Sequence, residues 1–372
     1  MQDKNPADIL VVDDTPANIR LLAQMLSVLG YKVRKATNGE MALDAVSMIP
    51  PDLILLDINM PGMDGYQVCQ RLKDNAKTAD IPVIFISALD EIMDKLKGFN
   101  VGAVDYITKP FQLVEVQARV KTHISLQQLQ KELQHKNQLL EEERLRAGQV
   151  QADLLPKDIP KLPGFSLAAY CLPAKEVGGD FYDWQMDDSG YFNFLLGDVM
   201  GKGMPAALLM TTVRATLRAL STQLTLSSRI NAAQSLLATD FGHSESFVTL
   251  FCGQLNCQDR HLSYIDAGHG VVFIKRASST IDLLANSGIP LGILPQQTYK
   301  TGTFHFQPQD ALLLFSDGIL ELLPDANQNP QIFASLLQGV TGAREIVDRI
   351  LSILPQDQEL GDDLTILILS CH

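Results

Sequence analysis

The sequence predicts two unlike domains joined by a long helix: a doubly wound α/β domain with a parallel sheet, and an α+β domain built as a β-sandwich flanked by helices. Three patterns favour this fold class. Short Val/Ile/Leu runs alternate with amphipathic segments in the first third of the chain, apolar residues then recur at steps of three and four, and short strand-like runs predominate from residue 165 onward. We place the domains at residues 1–122, 123–155 and 156–372.

The composition excludes several classes of function. A chain of 372 residues with 46% hydrophobic and 20% charged residues is long and apolar enough for two or three globular cores. Its formal charge of −13 argues against binding to nucleic acids or anionic membranes, which would repel it. The five cysteines lack CxxC spacing, and no apolar run approaches the roughly 20 residues of a membrane span. We expect a soluble, cytoplasmic protein with reduced thiols.

The first domain alternates strand and helix patterns. Most of its strand candidates are continuous apolar runs, which is typical of parallel strands covered on both faces. The strand candidates occupy residues 9–12, 32–36, 53–58, 82–87 and 104–107, and the helix candidates occupy 16–29, 40–49, 66–73 and 91–100. Ligands of such sheets bind at the carboxyl ends of the strands.

Chemically active side chains stand at those strand ends. Asp13 and Asp14 follow the first strand, and Asp57 ends the third. Ser87 ends the fourth strand, and Lys109 follows the fifth. Three carboxylates on one rim favour Mg²⁺, which prefers oxygen ligands. A carboxylate beside a metal ion and a lysine is also a nucleophile that can accept a phosphoryl group.

Four motifs carry a resemblance to a known family: VVDD at 11–14, LLDINMPGMDGY at 55–66, ISA at 86–88 and TKP at 108–110. Over residues 9–120 the chain resembles the receiver domain of two-component response regulators, which has a flavodoxin-like fold. The resemblance implies that a sensor histidine kinase is the phosphodonor for Asp57, and that Asp57 with Asp13 or Asp14 holds Mg²⁺. It also implies that Lys109 contacts the phosphoryl oxygens, and that Ser87 and Tyr106 form a switch pair.

The segment between the domains has a heptad-like seam. Seven of nine positions spaced by three and four are apolar, and most of the residues between them are Gln, Glu, Lys and Arg. The nine positions are Leu126, Leu129, Leu133, Lys136, Leu140, Glu143, Ala147, Val150 and Leu154. The seam favours a coiled-coil linker helix and hence a homodimer; a single amphipathic helix packed on a flanking domain is the alternative. A proline cluster beginning at Pro156 ends the helix.

The second domain shows many neighbouring strands with helices gathered in pairs, which indicates a β-sandwich flanked by helices. Strand candidates lie at 166–172, 191–196, 247–255, 261–267, 271–275, 302–306, 311–316 and 364–370, and helix candidates at 205–219, 229–240, 330–337 and 343–354. The GKG motif at 201–203 lacks the GxxxxGK[ST] spacing of a P-loop, so we reject nucleotide binding.

A predicted hairpin brings two aspartates together. The turn residues at 187–190 separate two strand-like runs, which is a hairpin signal. If the hairpin folds about Asp188 and Ser189, Asp180 and Asp198 lie opposite each other, because both are nine positions from Ser189. Facing carboxylates repel each other, and a divalent cation between them would offset this repulsion. A one-residue slip in the strand register would place Asp180 and Asp198 on opposite faces of the sheet. Two solvated turn aspartates are the alternative.

Further carboxylates stand at strand ends of the same domain. Asp317 follows one apolar run, and Asp362 and Asp363 precede the last. With Asp180 and Asp198 they form an acidic set without a His or Cys cluster, which disfavours zinc and favours two Mg²⁺ or Mn²⁺ ions. Two such ions about 4 Å apart can clamp an attacking water and the phosphoryl oxygens during hydrolysis.

Six motifs of the second domain look like those of the metal-dependent (PPM-type) serine/threonine phosphatases. They are PAKEVGGDFYD (173–183), GDVMGKGMPAALLM (197–210), AGH (267–269), IPLGI (289–293), SDG (316–318) and GDDLT (361–365). They resemble most the SpoIIE-like branch, which acts in partner-switching control of sigma factors. The resemblance implies a phosphorylated serine/threonine protein of the anti-sigma antagonist type as the substrate. It gives a substrate-phosphate role to Lys175, and metal-ligand roles to Asp180, Asp198, Asp317 and Asp362, with the Val199 carbonyl and Asp363 as further candidates.

Met200 departs from the family pattern. Eukaryotic relatives often have a histidine there that acts as general acid, and a serine alkoxide leaves poorly without a proton donor. His269 is a candidate donor, although a role in bracing a turn is favoured. The departure supports an alternative function, a catalytically weak or inactive binding module that sequesters a partner in a phosphorylation-dependent way. The complete carboxylate set favours a metal-dependent phosphatase under receiver control. A DNA-binding regulator is rejected for want of a basic recognition helix.

Overall fold

The computed structural model describes residues 6–87, 99–220, 224–284, 288–294, 296–323, 329, 331–355 and 360–372. Contacts divide the chain into two compact units, Met1–Leu140 and Glu141–His372. Each unit has its own hydrophobic core. Within the described ranges, no helix combines the length and hydrophobicity needed to cross a membrane.

The first unit is built on a five-stranded parallel sheet. Its strands are β1 (Asp8–Val12), β2 (Lys32–Ala36), β3 (Leu53–Asp57), β4 (Val83–Ser87) and β5 (Asp105–Thr108), in the spatial order β2-β1-β3-β4-β5. The connecting helices are α1 (Pro16–Val28), α2 (Gly39–Met48) and α3 (Gly65–Lys73). Alternate residues of each inner strand enter two separate apolar clusters, so both faces of the sheet are covered. The predicted doubly wound α/β fold is confirmed.

Local sequence signals set the starts of these helices. α1 has Pro16 at its first position, and α2 is capped by Asn38, whose side chain accepts the Met41 N–H at 2.9 Å. α3 begins with a reciprocal capping box between Asp64 and Gln67. Because these signals are short-range, the predicted helix starts agree with the structure to within one residue. The helix expected at 91–100 falls largely outside the described residues.

One long helix, α4 (Leu113–Leu154), follows β5. The predicted linker helix begins at residue 123, whereas the helix in the structure begins at Leu113. Its first turns pack in the core of the first unit through Val116, Val120 and Ile124. Beyond them the leucine seam faces solvent, and the side chain of Leu129 is 63% exposed. An exposed apolar seam is what a coiled coil requires, and the homodimer stays a prediction.

The second unit contains two five-stranded antiparallel sheets. One comprises β7 (Phe181–Met186), β8 (Phe192–Val199), β9 (Val248–Asn256), β10 (His261–Ala267) and β13 (Gly302–His305), ordered β13-β10-β9-β8-β7. The other comprises β6 (Phe165–Leu172), β11 (Val272–Lys275), β12 (Ile281–Leu283), β14 (Ala311–Phe315) and β15 (Leu364–Cys371), ordered β12-β11-β14-β15-β6. The helices are α5 (Met204–Ala219), α6 (Leu226–Ser244), α7 (Asp317–Leu322), α8 (Gln331–Leu336) and α9 (Ala343–Leu351).

These elements form four layers. Phe194 and Phe251 of one sheet and Leu314 and Leu367 of the other share the central apolar cluster. α5 and α6 cover the outer face of the first sheet, and α7, α8 and α9 cover that of the second. The predicted helix-flanked β-sandwich is confirmed. Sequence patterns missed β12 and α7, which are too short to show a periodicity of their own.

Candidate metal centres

The first candidate centre lies at the carboxyl ends of β1 and β3. Asp13 and Asp57 are buried and Asp14 is exposed, and one oxygen from each lies within 4.8 Å of the others. Lys109 Nζ donates to Asp57 Oδ2 at 2.8 Å and lies 3.1 Å from Asp13 Oδ2. Asn18 of α1 donates to both oxygens of Asp13 and so fixes its orientation. The rim residues predicted from the strand ends are therefore brought together.

Among the described residues, the negative charges of this centre are not balanced by positive ones. Burial raises the pKa of Asp57 and, together with the charges of Asp13 and Asp14, outweighs the lowering by Lys109. Burial would lower the pKa of Lys109, but its hydrogen bonds to Asp57 and Asp13 raise it. One lysine thus faces three carboxylates. An all-oxygen set with excess negative charge fits the predicted Mg²⁺.

The proposed switch residues lie on the two neighbouring strands. Ser87 is buried at the end of β4, and its carbonyl accepts the backbone N–H of Lys109 at 2.8 Å. Tyr106 of β5 is half-buried, and the guanidinium of Arg119 lies 5.1 Å from the centre of its ring. The structure places Ser87 at the end of the strand next to β3, which carries Asp57, and Tyr106 on the following strand, and their switching role stays a prediction.

The second candidate centre begins at the β7–β8 hairpin. Phe181 pairs with Gly197, so Asp180 and Asp198 form the next pair outward. The turn-centred register expected from the sequence therefore holds. Asp180 is buried, whereas Asp198 is half-buried and pairs on its other side with Thr249 of β9. The alternative of two solvated turn aspartates does not fit these positions.

The other sheet supplies two more carboxylates because the end of β14 and the start of β15 lie side by side. Ser316 N donates to the Thr365 carbonyl at 2.9 Å, and Ser316 Oγ donates to the Asp363 carbonyl at 3.0 Å. This ladder places Asp317, the first residue of α7, near Asp362. The two residues interact electrostatically with each other and with Asp198 of the hairpin.

Asp363 braces the loop that leads into β7. Its Oδ1 accepts the Ala174 N–H at 2.8 Å, and its Oδ2 accepts those of Gly179 at 2.6 Å and Asp180 at 3.4 Å. A Cβ atom at Gly178 would overlap this carboxylate, so the close approach requires glycine. Both oxygens of Asp363 accept amide protons, so we assign it the bracing role, and its exchange of metal-binding roles with Asp362 stays a prediction.

The carboxylates of the second centre repel one another. Burial, and then the charge of Asp198, raises the pKa of Asp180 well above its ordinary value. Burial, and then the charges of Asp317 and Asp362, raises the pKa of Asp198 to about 7. Asp180 Oδ2 is buried and has no hydrogen-bond partner among the described residues. A buried acidic cluster with an unsatisfied oxygen fits divalent cations, which would supply the missing positive charge.

The two centres differ in their spacing. In the part of the chain that the structure describes, the first centre is the one group of three acidic, His or Cys side chains whose ligand atoms all lie within 4.8 Å. The second is spread more widely, which suits two ions about 4 Å apart better than one. The Val199 carbonyl faces Gly179, where a Cβ atom would come within 2.5 Å of the carbonyl oxygen.

A lysine that the sequence analysis missed contacts the second centre. Lys202 Nζ lies 2.8 Å from Asp362 Oδ2 and donates to the Gly361 carbonyl. Lys175, the residue expected to bind the substrate phosphate, is exposed beside the Gly203 turn, where a Cβ atom would lie 3.7 Å from its Cδ. The GKG motif at 201–203 contains Lys202, and although it lacks P-loop spacing it is the sequence signal for this residue.

His269 is poorly suited to act as the general acid. It is buried, its Nδ1 lies 3.3 Å from Thr249 Oγ1, and its backbone N–H donates to Asp266 Oδ1 at 2.8 Å. Burial lowers the pKa of His269 to about 4, so the ring carries no acidic proton near pH 7. These contacts agree with the turn-bracing role favoured from the sequence.

Two family models match the chain in the expected order. The model of the response regulator receiver domain matches residues 9–121, and the model described as Stage II sporulation protein E (SpoIIE) matches residues 188–372. The chain thus combines a response regulator receiver domain with a domain of the SpoIIE family of PPM-type phosphatases. The first match contains all residues of the first candidate centre, which we call the rim centre (Asp13, Asp14, Asp57 and Lys109). The second contains Asp198, Asp317 and Asp362, while Asp180 lies just ahead of it.

The relatives cover only parts of the molecule. The receiver is 46% identical over 113 residues to RpaA, a DNA-binding dual master transcriptional regulator of Synechocystis, a match that covers 30% of this chain and 47% of that protein. The RsbU and RsbW domains of a Mycobacterium tuberculosis protein are 24% identical, covering 57% of this chain and 61% of theirs (TM-score 0.49). The PP2C phosphatase domain and regulatory fragment of Bacillus subtilis SpoIIE are 18% identical, covering 55% and 63% (TM-score 0.48). The chain spans about half the length, or less, of the curated relatives that it matches.

The raised pKa of Asp198 predicts how metal-free protein responds to pH. Its folded pKa of about 7 exceeds the ordinary value of 3.8, so between these values the folded state binds the proton more strongly than the unfolded state. The free energy of unfolding should therefore fall as pH rises from 5 to 7.5, by up to about 1.4 kcal/mol per pH unit from this group. Urea unfolding of the metal-free protein measures the slope. The Asp198→Asn variant should show a shallower one, and equal slopes would contradict the prediction.

Proposed function

We propose that this response regulator is phosphorylated on Asp57, and that its receiver thereby controls a protein phosphoserine/phosphothreonine phosphatase that uses two Mn²⁺ or Mg²⁺ ions. The observation that carries the proposal is the buried Asp180 carboxylate, which has an unsatisfied oxygen and faces Asp198. A fold would gain nothing from this repulsive arrangement unless a cation completes it. Asp317 and Asp362 come from the opposite sheet and give the remaining ligands in this proposal.

The proposed reaction is hydrolysis of a phosphate monoester. Water attacks phosphorus, the bond between phosphorus and the serine or threonine oxygen breaks, and that oxygen takes up a proton. Bound divalent ions would supply charge neutralisation and an activated water. The carboxylates orient those ions, and the exposed Lys175 binds the substrate phosphate. Met200 provides no proton, so the general acid is a group other than the residue at this position.

The receiver would act as the input. A sensor histidine kinase supplies the phosphoryl group to Asp57, with Mg²⁺ held by the rim carboxylates and Lys109 contacting the phosphoryl oxygens. Ser87 closes on the phosphate and Tyr106 turns inward. The change alters α4, whose exposed leucine seam pairs with that of a second copy, and the two output domains shift between two states. Light scattering on the full-length protein, with and without beryllofluoride, tests for the homodimer.

The substrate that suits such an output is a small phosphorylated protein. We propose a partner-switching protein of the anti-sigma antagonist type, on the similarity to the SpoIIE-like branch. The alternative is a binding module that sequesters its partner without hydrolysis, and the specific observation in its favour is Met200 in place of a proton donor. The assembled carboxylate cluster favours the enzyme, because a scaffold has no need of it.

The testing experiment is hydrolysis of p-nitrophenyl phosphate with Mn²⁺, with and without beryllofluoride as a mimic of phosphorylated Asp57. We expect metal-dependent turnover that beryllofluoride changes at least about fivefold, the lower range of allosteric coupling. The sign of the change gives the direction of control. In the Asp57→Asn variant the response should disappear while basal turnover remains.

The exposed Asp80→Asn variant is the matched control, since it removes a receiver carboxylate that lies outside the rim centre. It should respond as the unaltered protein does. Turnover indifferent to beryllofluoride would leave the phosphatase and remove receiver control. If neither p-nitrophenyl phosphate nor a phosphoserine protein is hydrolysed with any divalent metal, the binding module replaces the enzyme.

A further inference from the structure

The C-terminal end of α4 is hydrogen-bonded to the loop that leads to Asp180. The Gln151 side-chain amide donates to the Gly178 carbonyl at 2.7 Å, and its carbonyl oxygen accepts the Gly178 N–H at 3.0 Å. All three residues belong to the C-terminal unit. A side-chain amide that pairs with both backbone groups of one residue fixes that residue in position and orientation, much as a neighbouring strand would.

The same helix also approaches the loop through a glycine. A Cβ atom at Gly148 would overlap the carbonyl oxygen of Glu176, so the helix and the loop touch backbone to backbone at this point. Gly148 lies three residues before Gln151 and therefore on the same face of the helix. Glycine in the interior of a helix is unfavourable, and here its use is explained by the close approach to the 173–180 loop.

The loop is held from its other side by Asp363, which accepts the N–H groups of Gly179 and Asp180. Gly178 is thus fixed by Gln151 just before the residues that Asp363 fixes. Beside this contact lies a cavity of about 60 Å³, lined among others by Gln151, Cys171 and Asp180. The cavity has room for the loop to shift if the helix releases it, because close packing is incomplete there.

We infer that Gln151 is a positioning residue that sets the divalent-metal affinity of the phosphatase centre by holding Gly178, and with it the ligand Asp180. The inference rests on the proposed function, since it names the point at which the linker helix reaches the proposed metal site. Gln151 does not touch the metal position. It acts through two backbone residues, so its removal weakens binding and does not abolish it. A movement of α4 that breaks this contact lowers metal affinity without altering any ligand.

The test is titration of the metal-free full-length protein with Mn²⁺, followed by calorimetry and by the EPR signal of free Mn²⁺. The Asp198→Asn variant identifies which binding event belongs to the phosphatase centre. In Gln151→Ala, the affinity of that event should fall about tenfold, at the lower end of the effects of outer-shell partners. Gln149→Ala is the matched control, because Gln149 is exposed and, among the described residues, its side chain bonds only to Asp153 of the same helix, at 3.3 Å.

Thermal unfolding of the metal-free proteins separates positioning from a merely structural role. Gln151→Ala should unfold at a lower temperature than Gln149→Ala, because the Gly178 N–H loses its acceptor. A merely structural role would lower only this temperature, whereas positioning also weakens Mn²⁺ binding at a temperature where both variants are fully folded. Gly148→Ala is a second variant: alanine favours a helix over glycine, yet the overlap with Glu176 should displace the loop and weaken Mn²⁺ binding. Equal affinity in Gln151→Ala and the unaltered protein would overturn this inference alone. Absence of any event sensitive to Asp198→Asn would instead overturn the proposed metal site itself.

Discussion

Replacing Asp198 with asparagine should lower manganese-dependent phosphatase turnover at least about a thousand-fold while the domain stays folded. The side chain keeps its shape but loses the charge that faces Asp180, and with it the pair of carboxylates between which a cation would be held. Loss of several kcal/mol of charge stabilisation in the transition state corresponds to this factor, because each 1.36 kcal/mol is tenfold in rate. Turnover of p-nitrophenyl phosphate at saturating Mn²⁺ measures the loss.

The hairpin offers a matched control for this variant. Asp188 lies in the turn between the same two strands, and its side chain is exposed, so Asp188→Asn removes one charge from the same hairpin without touching the centre. It should retain full turnover. In the absence of metal, Asp198→Asn should unfold at an equal or higher temperature than the unaltered protein near pH 7.5, since it removes repulsion within a buried cluster. Retained turnover in Asp198→Asn would refute the two-metal assignment.

The placement of Asp180 opposite Asp198 could be predicted because it depends on one local quantity, the centre of the hairpin turn. A polar turn cluster between two strand-like runs sets that centre, and strand pairing then fixes every pair outward from it. The parallel sheet of the receiver was predictable for a similar reason. Its buried strands are continuous apolar runs, and the carboxyl ends of such strands meet on one rim, where Asp13 and Asp57 stand.

The contacts that could not be predicted join parts of the chain that are far apart in sequence. Lys202 meets Asp362, Asp363 braces Gly179, and Gln151 holds Gly178. Each contact depends on how a loop approaches another loop or the helix α4, and no periodicity or turn signal in the sequence specifies that approach. Glycines in the sequence are the best indication of such contacts, because a glycine such as Gly178 marks a place where a side chain would block a close approach.

The neighbours Asp362 and Asp363 should therefore differ in what their removal costs. Asp363→Ala leaves the amides of half-buried Ala174 and buried Gly179 without their acceptor, and the longer contact to Asp180 is lost as well. A buried donor without a partner costs about 1–3 kcal/mol, so the free energy of unfolding of metal-free protein should fall by about 3 kcal/mol or more. Urea unfolding, followed by circular dichroism, measures this change.

Asp362→Ala is the matched comparison because it removes the adjacent carboxylate, whose side chain is 23% exposed and pairs with Lys202. Loss of such a partly solvated ion pair should change stability by less than about 1 kcal/mol, yet turnover should fall as far as in a variant that lacks a metal ligand. Stability and catalysis would then separate at two consecutive residues. If instead Asp363→Ala unfolds like the unaltered protein and binds Mn²⁺ more weakly, Asp363 is a ligand and the bracing role assigned from its three amide contacts is wrong.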